Sequence, residues 1–178
     1  MKINYKLTYQ DFLEYQLYSS SKSELHRKKR FRSRIIIPIL YIILGIYFAN
    51  KDEGYLIGIL FTVLGILWYV FYPLYSKWTY RRYIKKFVEE NYKNRINKEV
   101  ELDFDVSSVS AKDYTSESKI NENEIKELIE TRDHFFIKLD TDVSLIIPKH
   151  AIENKEEFKK RILDFGAVYV DELKWEWK

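Results

Sequence analysis

The 178-residue sequence predicts two membrane-spanning α-helices followed by a small α+β domain, in which a bent sheet or barrel is closed by a C-terminal helix. The membrane helices are predicted from two runs of residues that carry no charge, 35–49 and 55–75. The sheet is predicted from side chains that alternate between apolar and charged from residue 99 onward. Apolar residues at helical spacing over 154–165 predict the closing helix.

The two uncharged runs differ in how easily they would cross a bilayer. The second has 21 residues, and a membrane helix needs about 20 to cross an apolar core ~30 Å thick. The first has only 15 residues, so Arg32 and Arg34 would have to extend along the helix to reach the membrane surface. Both runs are apolar on all sides, which disfavours the alternative of two buried helices in a soluble core.

The distribution of charge predicts the orientation of this helical hairpin. Residues 22–34 hold seven basic side chains and one acidic side chain, and residues 77–98 hold eight basic and two acidic ones. The connecting residues 50–54, predicted to form a tight turn, have a net charge of −1. Because basic segments stay on the cytoplasmic side, we expect a multi-pass protein with both termini in the cytoplasm.

Candidate functional residues of the hairpin fall into two groups. Basic and aromatic side chains near the cytoplasmic ends are expected to contact the membrane surface and its anionic headgroups. These are Arg32, Arg34, Trp68, Trp78, Arg81, Arg82, Lys85 and Lys86. Gly45, Gly58 and Gly65 are expected to let helices approach closely, either within the hairpin or between the two copies of a homodimer.

The segments that flank the hairpin, residues 1–30 and 77–95, are predicted to lie in the cytoplasm. Alternation over residues 2–7 predicts a strand, which we expect to pair with the C-terminal domain because an isolated strand is unstable. Helical spacing predicts an amphipathic helix over 8–20. In residues 77–95, aromatic residues alternate with basic ones, a pattern that single-stranded nucleic acid or a membrane surface could bind. Its position after a membrane helix favours the membrane, so we expect no nucleic acid partner.

The C-terminal domain is predicted over residues 96–178, and its part from residue 99 onward contains 12 basic and 20 acidic residues. Anionic lipid headgroups should repel such a domain, so that its acidic side faces the cytoplasm. The alternative is that it folds back onto the basic residues of 77–95. The candidate surface for a protein partner is the acidic row of the first predicted strand, which consists of Glu99, Glu101, Asp103 and Asp105.

The sequence gives little indication of catalysis. It contains no cysteine, which excludes disulfides, thiolate metal sites and a cysteine nucleophile. The histidines, His26, His134 and His150, are not at a metal-ligand spacing, and we expect them on the surface. Phosphate-binding glycine loops and nucleophile elbows do not occur. We therefore expect no catalytic residue, metal or cofactor, and no enzymatic activity.

Residues 124–139 (EIKELIETRDHFFIKL) and 145–152 (LIIPKHAI) resemble the YcxB-like family of bacterial membrane proteins. The resemblance implies the bacterial cytoplasmic membrane and a C-terminal domain similar to bacterial pleckstrin-homology-like domains. Two functions are compatible with it. The first is a membrane-anchored adaptor or regulator that binds an unknown protein. The alternative is a small immunity protein, whose hairpin protects the cell against a membrane-active bacteriocin or toxin.

Overall fold

The computed structural model describes residues 1–51 and 54–177, which divide into two compact units. The first unit comprises residues 1–16 and 85–176, and the second comprises residues 17–84 with Trp177. The N-terminal strand therefore belongs to the same unit as the C-terminal strands. The predicted turn at 50–54 includes residues 52 and 53, which lie outside the described residues.

The described residues form four α-helices. They are α1 (Tyr9–Lys22), α2 (Glu24–Ala49), α3 (Tyr55–Asn91) and α4 (Lys155–Asp164). The helix predicted for residues 77–95 continues α3 and ends at Asn91. Thr8 and Asp11 form a capping box at the start of α1, where the Thr8 backbone N–H donates to Asp11 Oδ2 at 2.7 Å and the Asp11 N–H donates to Thr8 Oγ1 at 3.3 Å.

Both α2 and α3 are long and apolar enough to cross a membrane. In the most apolar 18-residue window of each helix, only 11% of α2 and 17% of α3 is buried. The two helices are therefore not the buried core of this chain, because such a core would cover most of their side chains.

Four antiparallel strands form the first sheet of the first unit, in the order β1-β2-β3-β4. They are β1 (Lys2–Lys6), β2 (Glu99–Phe104), β3 (Ser108–Lys112) and β4 (Glu117–Asn121). β1 is an edge strand, with Ile3 opposite Leu102 and Tyr5 opposite Val100. This pairing confirms the expectation that the N-terminal strand joins the C-terminal domain.

The second sheet has the order β7-β6-β5-β8. Its strands are β5 (Ile125–Glu130), β6 (His134–Leu139), β7 (Ser144–Pro148) and β8 (Val168–Asp171). Three consecutive strands pair antiparallel, and β8 then pairs in parallel with β5 after α4. The predicted α+β layout with a late helix is confirmed at this level, but the strands form two separate sheets where the sequence predicted one bent sheet or barrel.

The central strand β6 is buried on both faces, and its side chains alternate between them. On one face, the ring of Phe135 lies 5.2 Å from that of Phe158 in α4. Phe104 of the first sheet contacts the same Phe158 ring at 5.6 Å. On the other face, Phe136 lies 5.4 Å from Tyr15 of α1. The second sheet is therefore covered by α4 on one side and by α1 on the other.

Candidate functional site

Exposed apolar side chains surround α2 and α3 between their basic ends. In α2 they include Ile36, Leu40, Ile43, Ile46 and Tyr47, and in α3 they include Leu56, Leu60, Ile66, Val70, Phe71 and Leu74. Transferring one such side chain out of water is worth about 1.5–3 kcal/mol. A surface of this size would be costly in water, and it is the surface that a bilayer would cover.

The predicted membrane-surface residues lie at the basic ends of these helices. Arg34 stacks its guanidinium 4.4 Å from the centre of the Tyr69 ring, and Arg82 lies 5.5 Å from the Trp78 ring. The Trp68 indole N–H donates to the Ser33 carbonyl at 3.3 Å, so this side chain joins α3 to α2. The remaining candidates, Arg32, Arg81, Lys85 and Lys86, are exposed.

The three candidate glycines lie where α2 and α3 meet. A Cβ atom on Gly58 would stand 2.7 Å from the Gly45 carbonyl oxygen, and one on Gly45 would stand 2.7 Å from Thr62 Oγ1. A Cβ on Gly65 would lie 3.2 Å from the Cβ of Tyr41. The glycine surface is thus used within the hairpin, the first of the two predicted alternatives.

The acidic row of β2 faces basic groups of β1. Lys2 Nζ lies 2.6 Å from Glu101 Oε1, and Lys6 Nζ lies 3.4 Å from Glu99 Oε1. The N-terminal ammonium lies 3.9 Å from Asp103 Oδ1. Asp105 accepts a hydrogen bond from the next backbone N–H, at 2.8 Å. These exposed pairs are weak, but they reduce the negative potential of the surface that the sequence indicated for a partner.

His134 contradicts the expectation of a surface histidine, because only 3% of it is exposed. Its Nε2 lies 2.7 Å from Asp11 Oδ1, and its Nδ1 lies 3.4 Å from Glu14 Oε1. Its ring is parallel to that of Phe136, at 5.7 Å. The expectation failed because the partners lie in α1, more than a hundred residues away. Two features of the sequence are consistent with this buried site. His134 and Phe136 are two residues apart and so share one face of β6, and Asp11 and Glu14 are about one turn apart on one face of α1. His150, by contrast, is exposed and His26 is half-buried.

The two carboxylates keep His134 protonated. Burial lowers the pKa of this imidazole, but the hydrogen bond to Asp11 and the negative charges of Asp11 and Glu14 outweigh burial and raise it from 6.5 to about 9. Burial raises the pKa of Asp11, but the hydrogen bonds from His134 and Thr8 outweigh burial and hold that pKa below its ordinary value. An imidazolium that stays charged at neutral pH stabilises the packing of α1 and is poorly suited to proton transfer there.

A second polar cluster forms around Glu130 at the end of β5. Its carboxylate accepts hydrogen bonds from Lys149 at 2.7 Å, Lys159 at 3.2 Å and the Tyr169 hydroxyl at 2.7 Å. Burial raises the pKa of Glu130, whereas these three hydrogen bonds outweigh it and lower that pKa. Because all its partners are within the unit, the cluster joins β5 to α4 and β8.

A cavity of about 610 Å³ opens in the first unit, within the range of small-molecule pockets. Its lining includes Tyr5, Phe12, Tyr92, Tyr114 and Ile146. The Tyr5 hydroxyl donates to the Ile146 carbonyl at 2.8 Å and so pairs one backbone carbonyl of the edge strand β7. Among the described residues, no group of three or more histidine, aspartate or glutamate side chains is arranged to hold a metal ion.

Comparison with curated proteins and with solved structures finds no match to this chain. Comparison with family models gives a match over the segment that follows β2 and extends into α4. Residues 105–160 match the model described as YcxB-like protein, the family that residues 124–139 and 145–152 resemble.

Proposed function

We propose that this chain is a non-enzymatic protein of the bacterial cytoplasmic membrane, in which α2 and α3 anchor a small interaction domain at the inner membrane face. The domain is the unit of residues 1–16 and 85–176. It would act as an adaptor or regulator that binds a protein partner. The observation that carries the proposal is the exposed apolar surface of the two helices outside the face where they meet.

Three properties support the anchoring. Each helix is long enough for a bilayer, and its apolar side chains face away from the chain. Basic residues are concentrated at the two hairpin ends that would lie in the cytoplasm. The family match is to a YcxB-like model, and the corresponding resemblance is to bacterial membrane proteins.

The interaction role rests on the first unit. Two sheets followed by a helix support a pleckstrin-homology-like domain, a fold class that hosts many unrelated binding functions. The acidic surface of β2, partly neutralised by Lys2 and Lys6, is the proposed contact for the partner, with any homodimer formed outside the glycine surface.

Membrane topology can be tested by single cysteines, because the chain contains none. Lys51→Cys and Lys119→Cys change two exposed lysines on opposite sides of the proposed membrane. In intact cells, an impermeant thiol reagent should label the first variant only, and permeabilised cells should show labelling of both. Labelling of Lys119→Cys in intact cells would contradict the orientation, and extraction of the chain by alkaline carbonate would contradict the anchoring.

Photo-crosslinking in the native host tests the interaction role. Benzoylphenylalanine is placed at Tyr114 in the first unit or at Tyr55 at the start of α3, two tyrosines that are each 67% exposed. An adaptor should give one protein adduct from position 114 and none from position 55. Adducts from position 55 alone would favour the immunity alternative, in which the hairpin itself contacts a toxin.

A further inference from the structure

The cavity of the first unit extends from exposed turns to buried strands. The residues that line it belong to residues 1–16 and 85–176. Tyr114, in the turn between β3 and β4, is 67% exposed, and Val143, in the turn between β6 and β7, is 58% exposed. Leu102, which also lines the cavity, is fully buried. A ligand can therefore enter from solvent past the exposed turns and reach the interior.

Strands of both sheets form an apolar wall of this cavity. Leu102 lies opposite Ala111, and Ala111 lies opposite Ser118, so these side chains share one face of the first sheet. The Ser118 hydroxyl donates to the Ala111 carbonyl at 3.4 Å, and the Tyr5 hydroxyl donates to the Ile146 carbonyl. The buried residues of the wall are Tyr5, Leu102, Ala111, Ile120, Leu139 and Ile146. Such a wall favours a ligand whose body is apolar.

Two cations lie together at the turn between β3 and β4, where they line the same cavity. Arg95 forms an ion pair with Asp113, and Lys98 Nζ lies 4.7 Å from the centre of the ring of Tyr114, the next residue along the chain. Among the described residues, no carboxylate pairs with Lys98. The charges of Arg95, Lys98 and Asp113 therefore sum to +1, and the charge without a counterion is that of Lys98.

The other charged side chains of the lining balance one another. Three of them form ion pairs within the first unit, which are Glu99 with Lys6 at 3.4 Å, Lys112 with Glu117 at 3.8 Å, and Asp142 with Lys138 at 3.3 Å. Lys119 and Glu124 form no ion pair with the described residues, and their charges are opposite. One positive charge therefore remains beside the apolar wall, and it favours a ligand with one negative charge.

We propose that this cavity binds a fatty acid, with its chain against the apolar wall and its carboxylate at Lys98. A volume of about 610 Å³ suits a small ligand with a single chain. A carboxylate carries one negative charge, which matches the one uncompensated cation, whereas a phosphate monoester carries about −1.5 to −2. This inference goes beyond the proposed adaptor role, because it assigns a small ligand to the interior of the domain.

Photolabelling of the full-length protein tests the site. The protein is reconstituted in phosphatidylcholine nanodiscs, a diazirine analogue of palmitic acid is added, and mass spectrometry locates the labelled peptides after irradiation. We expect labelled peptides from the first unit, and excess palmitic acid should suppress this labelling, whereas methyl palmitate should not. Labelling of α2 and α3 would report contact with the bilayer, so the ratio of the two signals corrects for the amount of probe in the membrane.

Two variants address the wall and the cation separately. Ser118→Trp places a large side chain into the cavity from an exposed position and should lower labelling of the first unit about tenfold. Its control is Ser110→Trp, on the opposite face of the same sheet. Lys98→Gln should lower this labelling about threefold, because the ion pair that it removes is exposed. Its control is Lys93→Gln, an exposed lysine that does not line the cavity.

The controls should change labelling of the first unit less than about twofold. Near-ultraviolet circular dichroism shows whether each variant keeps the native fold. Unchanged labelling in a folded Ser118→Trp protein, or equal labelling in the two lysine variants, would overturn the site. Equal competition by methyl palmitate would overturn the carboxylate, and stronger competition by hexadecyl phosphate would assign the headgroup to a phosphate instead. Labelling confined to α2 and α3 would remove the fatty acid site and leave the membrane anchoring intact.

Discussion

The imidazole Nε2 of His134 lies 2.7 Å from Asp11 Oδ1, although 123 residues separate them in the chain. This buried contact joins the N-terminal helix α1 to the central strand β6 of the second sheet. Since β1 pairs with β2, the N-terminal segment contacts both sheets of the first unit. The N-terminal residues are therefore part of the fold of this unit, and their contacts dominate its predicted sensitivity to pH and mutation.

Raising the pH should destabilise the first unit through His134. Its pKa is raised from 6.5 to about 9 in the folded chain, so the stabilisation is complete below pH 6.5 and is lost as the pH rises through about 9. The loss in free energy of unfolding should be on the order of 3 kcal/mol. Thermal unfolding of the detergent-solubilised protein, followed by near-ultraviolet circular dichroism from pH 6 to about 10, measures it. The slope should disappear in His134→Gln and persist in His150→Gln.

Removing the Asp11 carboxylate should lower the free energy of unfolding more than raising the pH does. Asp11→Ala leaves a buried imidazole with its stronger contact broken and also removes the capping box of α1, so a loss of about 3–5 kcal/mol in unfolding free energy is expected. Glu14→Gln, whose oxygen lies 3.4 Å from Nδ1, should cost about 1 kcal/mol. Unfolding at fixed pH compares the two, and equal effects would contradict the assignment of Asp11 as the main partner.

The Tyr5 hydroxyl is expected to stabilise the first unit through its hydrogen bond to β7, an edge strand of the second sheet. Tyr5→Phe deletes its hydrogen bond to the Ile146 carbonyl and should lower the free energy of unfolding by about 1–3 kcal/mol, since the carbonyl is left unpaired in a buried place. Tyr114→Phe makes the same chemical change at an exposed position and should have no measurable effect. A loss of stability in the Tyr114 variant as large as in the Tyr5 variant would exclude this explanation.

Local patterns in the sequence were sufficient to predict most elements of the fold. Period-two alternation predicted β1 and β2, and uncharged runs predicted the apolar parts of α2 and α3. The pairing of β1 with the C-terminal strands followed from one physical argument, that an isolated strand needs a partner. The parallel register of β8 with β5 had no comparable local signal.

The site was less predictable, because its contacts join distant segments. The environment of His134 depends on carboxylates in α1, and nothing near residue 134 indicates them. Arg30 Nη1 and Ser76 Oγ are buried without a hydrogen-bond partner among the described residues. Their surroundings depend on the register of α2 against α3, which glycine spacing alone does not set. Composition predicted basic ends and an acidic domain, but not that Lys2 and Lys6 would lie against the acidic row of β2.

Close packing at Gly58 should control the stability of the helical hairpin. Gly58→Ala would place a methyl group 2.7 Å from the Gly45 carbonyl oxygen, so the helices must separate, and we expect a loss of about 1–3 kcal/mol. Val63→Ala alters an exposed position of the same helix and is the control. Unfolding in mixed detergent micelles measures both, and light scattering measures the number of copies. Because Gly58 contacts Gly45 of its own chain, Gly58→Ala should lower stability without changing that number. A change from dimer to monomer at unchanged stability would instead mean that this surface joins two copies.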